Sequence, residues 1–289
     1  MSELVIRRLL VDLQAPIERR WIGGDAFRSA LFSALSMSFP AGEQVFIDSV
    51  RMGLPRLSGA ARVRFEAEAR GFIGQEATHR RVHQLFNAHL DRAGLVNHWE
   101  PRIQSRLERL RRLAGDEPRA WVAVTAATEH LTALLAEHLL RHPEVLAGAE
   151  PRLRDLWLWH ASEESEHRST AFDLYRALGG NEKWRRRFFR LVSWHFATDL
   201  LRQTLHNLWR DGAWWHLATW RSAWRTLFGP AGLVRCNARA WRRYLDAGFH
   251  PSQSDGSLAE RWLAEHAALA PAVSAGVAAG RAQPGAGQA

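Results

Sequence analysis

The chain has 289 residues, of which 46% are hydrophobic and 24% are charged, so its length and composition are those of a globular protein of one or two domains. Its one cysteine, Cys236, excludes an intramolecular disulfide, and no apolar run reaches the about 18 residues that a membrane span needs. The formal net charge of +9 resides in residues 181–250, which hold 13 basic and four acidic side chains, whereas the rest of the chain is neutral.

The pattern of residue types predicts an all-α fold. Leu, Ala, Arg and Glu dominate, and runs of alternating β-branched residues are absent. Pro40 and several turns that contain glycine or proline divide the chain. The predicted helices are 24–37, 41–53, 58–93, 98–114, 117–141, 150–178, 181–211, 213–227, 231–246 and 256–268.

The third predicted helix carries the octet EATHRRVH within its apolar face. Glu76, His79 and His83 continue the alternating spacing of four and three residues that begins at Phe72 and reaches Phe86, so all five point to one side of the helix. A buried carboxylate is costly unless it is paired, hydrogen-bonded or bound to a metal. The octet therefore predicts a buried polar site.

The Glu-x-x-His pattern recurs in the stretch HASEESEH, as Glu164 and His167, with Glu163 as the alternative carboxylate because it lies four residues before His167. A further Glu precedes each pair at a similar interval, since Glu43 lies 33 residues before Glu76 and Glu129 lies 35 residues before Glu164. Four antiparallel helices would bring these carboxylates and imidazoles into one core. This is the ligand pattern of ferritin-like di-iron and di-manganese carboxylate proteins.

The pattern predicts a centre of two metal ions. Iron is the expected metal, and manganese or a mixed manganese–iron pair is the alternative, because both accept carboxylate and imidazole ligands. We expect Glu76 and Glu164 to bridge the two ions. The expected terminal ligands are Glu43 and His79 on one ion and Glu129 and His167 on the other. A bundle with buried ion pairs is the structural alternative, but it gives no reason for two histidines at the i+3 position.

Two further histidines lie one helical turn from a predicted ligand. We predict His83 as a third nitrogen ligand, with a hydrogen-bonded core histidine as the alternative. His160 is interpreted either as a residue that supports a carboxylate ligand from behind or as a core histidine. His130 and His138 are interpreted as structural, because they face away from Glu129 on the same helix.

Several stretches resemble a bacterial family. They are ALSMSFPAGEQVFIDSVR, FIGQEATHRRVHQLFN, EESEHRSTAFDLY and GFHP, together with RRWIGGDAF near the start, and the resemblance covers roughly residues 5 to 252. The family is known as the predicted metal-dependent hydrolases. The resemblance implies metal ligands at the six Glu and His residues assigned above, with His83 in addition. The family's name implies hydrolysis, whereas the ligand set resembles that of ferritin-like oxidases and oxygenases.

The fold expected from these patterns has four parts. A ferritin-like four-helix bundle occupies residues 24–180 and follows an N-terminal segment, residues 1–23. A basic, tryptophan-rich helical extension at 181–269 packs on the bundle. The Ala-, Gly- and Pro-rich tail at 270–289 is expected to be disordered.

The extension holds nine of the 14 tryptophans, at or beyond residue 184. One interpretation is peripheral binding to anionic lipid through residues 184–245, because Trp and Arg favour the headgroup layer. The favoured alternative is that these side chains pack against the bundle. Nucleic acid is the least favoured partner, since no binding motif accompanies the charge. The N-terminus lacks a signal-peptide pattern, so we expect a cytoplasmic protein whose membrane contact would be at the inner membrane surface.

The predicted function is that of a di-iron enzyme that uses dioxygen to oxidise a small apolar or lipid-like substrate. A di-metal hydrolase of an ester or amide is the first alternative, in which bound hydroxide is the nucleophile. A metal-storage or metal-sensing bundle is the non-enzymatic alternative. A homodimer is the expected assembly.

Overall fold

The computed structural model describes residues 4–273, and the part of the chain that it describes is all-α, as predicted. Within this range no β-strand forms, and only isolated bridges are present. The helices are α1 Ala26–Gly53, α2 Gly59–Arg92, α3 Trp99–Ala114, α4 Pro118–Arg141, α5 Pro151–His167, α6 Thr170–Ala177, α7 Glu182–Arg210, α8 Leu217–Phe228, α9 Leu233–Arg243 and α10 Ser257–Glu265.

Four helices, α1, α2, α4 and α5, pack around one core. Helix α1 contacts α2 and α4, and α5 contacts α4 and α2. The core has two apolar clusters, one around Phe86 and Trp159 and the other around Phe46 and Phe72. Helices α1, α2 and α4 contribute to both clusters, and α5 contributes to the first. The polar side chains along the middle of the helices are therefore buried between two apolar layers.

Helix α1 runs without interruption through Pro40, so the predicted break at this residue is wrong. Proline lacks an N–H and frees the carbonyl four residues earlier, at a cost of about 3 kcal/mol in a helix interior. The freed carbonyl of Ser36 accepts a hydrogen bond from Asn87 Nδ2 at 3.0 Å. Apolar side chains on both sides of Pro40, among them Phe39 and Val45, are buried, and this burial holds the two halves of the helix in line.

The helix predicted over 150–178 is divided in two, because α5 ends at His167 and α6 begins at Thr170. The guanidinium of Arg168 donates to the backbone carbonyl of Ser165, which would otherwise accept from the backbone of a continuing helix. It also donates to Ser165 Oγ at 2.8 Å and to the carbonyl of Ser254 at 2.8 Å. The chain therefore turns directly after the last histidine of HASEESEH.

The N-terminal segment lies in an extended conformation against residues 269–273. Leu10 N donates to Leu269 O at 2.8 Å, and Val273 N donates to Ile6 O at 2.8 Å. The segment also approaches α2 closely, since a Cβ at Gly74 would lie 2.1 Å from Ile6 Cδ1. The end of the Ile6 side chain would have to move to admit a Cβ at this position. Of the tail predicted to be disordered, the first residues belong to this pairing, and residues 274–289 lie outside the described residues.

The C-terminal helices surround the bundle. Helix α7 contacts α1 and α4, α8 contacts α1, α9 contacts α4, and α10 contacts α5. In the described part of the chain, no helix combines the length and the hydropathy that crossing a bilayer requires. Large apolar side chains remain exposed on this extension, including Trp194 at 68%, Trp215 at 84% and Trp224 at 67%.

Candidate metal centre

The structure brings all six predicted ligands together in the middle of the bundle. Helix α1 supplies one carboxylate and α4 supplies another, whereas α2 and α5 each supply a carboxylate and an imidazole one turn apart. None of these side chains belongs to a residue more than 3% exposed. The six residues are Glu43, Glu76, His79, Glu129, Glu164 and His167.

One half of the centre is built around His167. Its Nε2 lies 3.1 Å from Glu76 Oε1, 3.3 Å from Glu164 Oε1 and 3.5 Å from Glu129 Oε2. Ligand atoms of the four residues all lie within 4.8 Å of one another. They converge on one point, as the ligands of a single metal ion would.

The other half is built around His79. A ligand atom of His79 lies within 4.8 Å of carboxylate oxygens of Glu43 and Glu76, and its Nδ1 is 3.6 Å from Glu164 Oε1. Glu76 and Glu164 therefore adjoin both halves, whereas Glu43 adjoins only this one. That Glu76 and Glu164 bridge two ions stays a prediction.

The carboxylates lack the donors that a buried charge needs. Over residues 4–273, neither oxygen of Glu43, Glu76 or Glu129 has a hydrogen-bond partner. Burial, followed by the charge of neighbouring carboxylates, raises the pKa of each of these groups well above its ordinary value. Burial also opposes ionisation of Glu164, but His167 and His160 outweigh it and lower the pKa of Glu164 well below its ordinary value.

Two cations would supply what this cluster lacks. Carboxylate oxygen and imidazole nitrogen suit iron and manganese, whereas a site without thiolate is less suited to softer metals. The donor set of this chain therefore fits the metal ions that the sequence predicts.

A chain of hydrogen bonds determines which nitrogen of His160 faces the centre. Asn87 Nδ2 donates to the Ser36 carbonyl, so Asn87 Oδ1 accepts from Ser36 Oγ at 2.7 Å. Ser36 Oγ then accepts from His83 Nδ1 at 2.8 Å, and His83 Nε2 accepts from His160 Nδ1 at 2.7 Å. His160 Nε2 is the nitrogen that faces the centre, 3.1 Å from Glu164 Oε1 and 3.9 Å from Glu43 Oε1.

Both ring nitrogens of His83 are thus in contact with protein partners, Ser36 and His160. The carbonyl that begins this chain is the one that Pro40 frees in α1. The proline within the helix and the orientation of an imidazole at the centre are therefore connected through Ser36 and Asn87.

Arg7 of the N-terminal segment connects the other two imidazoles. His79 Nε2–H donates to Glu163 Oε2 at 3.0 Å, and Glu163 Oε1 accepts from Arg7 at 3.2 Å. Arg7 also donates to both oxygens of Glu166, at 2.7 and 3.0 Å. Burial, opposed by Arg7, raises the pKa of Glu163 to about 8.

The second branch of this network passes through Gln75. His167 Nδ1–H donates to Gln75 Oε1 at 3.0 Å, and Gln75 Nε2 donates to Glu166 Oε2 at 2.9 Å. Each histidine therefore uses one nitrogen for a hydrogen bond and keeps the other for the centre. Groups of this kind fix the ring orientation and tautomer of a metal-binding histidine.

A known protein family matches most of the chain. The family model described as "Predicted metal-dependent hydrolase" matches residues 5–255. The chain belongs to this family. The match supports metal dependence, and the family's description supports the predicted hydrolase alternative better than the oxidase interpretation. No curated protein and no solved structure matches the chain significantly.

In this family member an apolar cavity of about 300 Å³ reaches the centre at Glu43. Helices α1, α3, α4 and α7 line it with apolar side chains that include Phe46, Ile103 and Phe196. The polar groups in its wall are few, with Arg109 and His195 among them. A cavity of this size and lining accepts a small apolar molecule.

Sequence patterns did not indicate Arg7, Gln75, Ser36 or Asn87. Gln75 directly precedes Glu76, but adjacency along a helix does not place two side chains on one face. Arg7 and the octet EATHRRVH are about seventy residues apart, and only the close approach of the N-terminal segment to α2 joins them. The proline at position 40 was the one available signal for the Ser36 contacts.

Replacing Arg7 with Ala is expected to lower the affinity for metal roughly 10–100-fold, the usual effect of losing a group that orients ligands. Both Glu163 and Glu166 lose their ion pair with Arg7 in this variant. Titration of the metal-free protein against a competing chelator measures the affinity. The exposed neighbour Arg8 is the matched control, and equal affinities in the Arg7→Ala and Arg8→Ala variants would contradict the role of Arg7.

Proposed function

We propose that this protein binds two iron ions and uses them, with dioxygen, to oxidise a small apolar or lipid-like substrate. The observation that carries the proposal is the group of four buried carboxylates, three of which have no hydrogen-bond partner among residues 4–273, beside an apolar cavity. Manganese, alone or paired with iron, is the alternative metal. Two ferrous ions supply the electrons for reducing dioxygen, which the side chains of the protein do not supply.

The residues of the centre have separate roles in this proposal. Glu76 and Glu164 bridge, and Glu129 with His167 completes the ligands of one ion. Glu43, His79 and His160 complete those of the other. His83 orients His160, so these two histidines exchange the roles that the sequence suggests for them. The support is that His160 Nε2 lies beside Glu164 and Glu43, whereas both ring nitrogens of His83 contact Ser36 and His160.

The cavity would give the reaction a dry environment. Its apolar wall binds the substrate and excludes water, and Glu43 is the metal-binding side chain in that wall. Of the two halves of the centre, the one that contains Glu43 is therefore the half that meets the substrate.

The function is tested by loading the metal-free protein with Fe²⁺ without oxygen and then adding oxygen. We expect oxygen uptake and a transient absorption band, neither of which a zinc-loaded sample shows. The Glu129→Gln variant, which removes one terminal carboxylate, should show much reduced uptake. An iron-loaded protein that consumes no oxygen and shows no band would overturn the proposal.

Hydrolysis is the second candidate function, and the family's description favours it. A metal-bound hydroxide would attack an ester or amide placed in the same cavity. Turnover of a panel of such substrates by zinc- or manganese-loaded protein, without oxygen, measures this activity. Turnover that the Glu43→Gln variant loses would favour hydrolysis over oxidation.

The roles of the two histidines are tested by a matched pair of variants. His160→Gln is expected to lose one of the two metal ions, because it removes a ligand. His83→Gln is expected to keep both ions with an affinity roughly 10–100-fold lower, because it removes only the group that orients His160. Metal content after dialysis distinguishes the outcomes. The opposite result would restore His83 as the ligand.

The tryptophan-rich extension is proposed to contact anionic lipid peripherally. Trp184, Leu191, Trp194 and Trp209 recur along one side of α7 and are exposed, and Leu191 also lines the apolar cavity. A lipid-like substrate would thus enter from the membrane surface. Co-sedimentation with anionic but not with neutral vesicles is expected, and equal recovery with both would contradict a role of charge.

A further inference from the structure

A second group of metal-binding side chains lies outside the carboxylate centre. His138 and His142 are four residues apart at the end of α4, and Cys236 belongs to α9. One ligand atom from each residue lies within 4.8 Å of the other two. The rings of His138 and His142 also contact each other, with centroids 5.0 Å apart, but within residues 4–273 no hydrogen bond joins the three side chains.

His138 provides an independent observation that a ligand is missing here. The residue is only 3% exposed, and within residues 4–273 neither of its ring nitrogens has a hydrogen-bond partner. A buried polar group without a partner is costly, so such groups usually mark an ion or a water. Burial lowers the pKa of His138 to about 4, which leaves the ring neutral and able to bind a metal at neutral pH.

The other two residues of the group, His142 and Cys236, are also placed so that they can bind a metal ion. His142 Nδ1 lies 3.1 Å from Glu144 Oε1, the kind of contact that orients a metal-binding imidazole. The thiol of Cys236 is exposed, and its other contact is the carbonyl of Pro230 at 3.4 Å. The thiol can therefore lose its proton to a metal without a large rearrangement.

We propose that His138, His142 and Cys236 bind a zinc ion that is separate from the carboxylate centre. Thiolate and imidazole are the ligands that zinc prefers, whereas the carboxylate centre lacks sulfur. Three protein ligands leave the fourth tetrahedral position for water. The ion joins α9, which belongs to the basic extension, to α4 of the bundle, and it stabilises this contact by binding only the folded arrangement.

Cobalt(II) is the probe, because a cobalt–thiolate bond gives a charge-transfer absorption in the near ultraviolet that carboxylate and imidazole ligands do not give. Metal-free protein is titrated with Co²⁺ and then with Zn²⁺. We expect the band to appear, to disappear when zinc is added, and to be absent from the Cys236→Ser and His142→Ala variants. His216→Ala, which changes an exposed histidine outside the group, should retain it.

Metal content gives the second measurement. Cys236→Ser is expected to bind one metal ion fewer per chain than the unchanged protein, and to keep its helical circular dichroism because Cys236 is exposed. A band that persists in His142→Ala, the absence of a band from the unchanged protein, or equal metal content in Cys236→Ser would each overturn the proposal. Oxygen uptake by iron-loaded Cys236→Ser should be unchanged, so this test is independent of the carboxylate centre.

Discussion

Replacing Glu76 with Ala is expected to abolish binding of both metal ions in the carboxylate centre. Glu76 adjoins the ligands in each half of the centre, and its Oε1 is 3.1 Å from His167 Nε2. Without this bridge, each ion would lose a ligand, and the repulsion between the two cations would have one fewer anion to offset it. Metal content measured after loading and gel filtration gives the result.

The same variant should remain folded. Burial raises the pKa of Glu76 well above its ordinary value, because the buried carboxyl is unfavourable in the metal-free fold. The substitution removes this unfavourable group. Glu76→Gln preserves the volume of the side chain and checks that loss of metal does not come from a cavity. Glu66, on the same helix and exposed, is the matched control. Loss of only one ion from Glu76→Ala would refute the bridging role.

Removing the metal is expected to make the free energy of unfolding fall as the pH rises above 6.5. The pKa values of Glu43, Glu76 and Glu129 are raised in the folded state, and that of Glu163 is raised to about 8. Above pH 4.5, the ordinary pKa of a glutamate, the unfolded chain releases these protons while the folded chain retains them. Each such carboxyl then lowers stability by about 1.4 kcal/mol per pH unit until the pH reaches its folded pKa.

The buried histidines act in the opposite direction but in a different pH range. Burial lowers the pKa of His79 and His83 well below the ordinary value of 6.5, so they destabilise the folded state as the pH falls below that value. Above pH 6.5 both states hold them neutral, and the carboxyls alone determine the slope. The metal-free protein should therefore be less stable at pH 8 than at pH 6.5.

Bound metal should remove the part of this slope that comes from Glu43, Glu76 and Glu129, because a carboxylate that binds a metal has already released its proton in the folded state. Urea unfolding between pH 6.5 and 8, with and without a chelator, measures the difference. Glu129→Gln removes one titrating group and should reduce the slope of the metal-free protein. A metal-free protein whose stability is constant or rises across this range would contradict the expectation.

The ligands of the centre could be predicted because they follow from periodicity within single helices. Glu76 and His79 lie in an apolar stripe, and Glu164 and His167 repeat their spacing, so local geometry alone places each pair on one face. Glu43 and Glu129 were found from their similar intervals along the chain. Such patterns identify side chains that point into the core. Four helices that pack together then bury all of these side chains in one place.

The supporting contacts could not be predicted, since they join helices that only the fold brings together. The sequence does not decide whether His83 or His160 is the metal ligand. The choice depends on contacts with Ser36 of α1 and Asn87 of α2. The break at Pro40 was predicted from local propensity, which tertiary burial overrides. The turn after His167 contains no glycine or proline. The helix ends there because the Arg168 guanidinium donates to the Ser165 carbonyl.

The pairing of residues 6–10 with 269–273 has a consequence for the order in which the molecule assembles. Arg7 lies in the first of these segments and binds Glu163 and Glu166, the carboxylates that support two imidazoles of the centre. The second segment is synthesised among the last of the described residues. Helices α1 to α5 can therefore collapse during synthesis around ligands whose orientation is still loose. We expect the centre to gain rigidity once the chain has passed residue 273, because the second segment then pairs with the first.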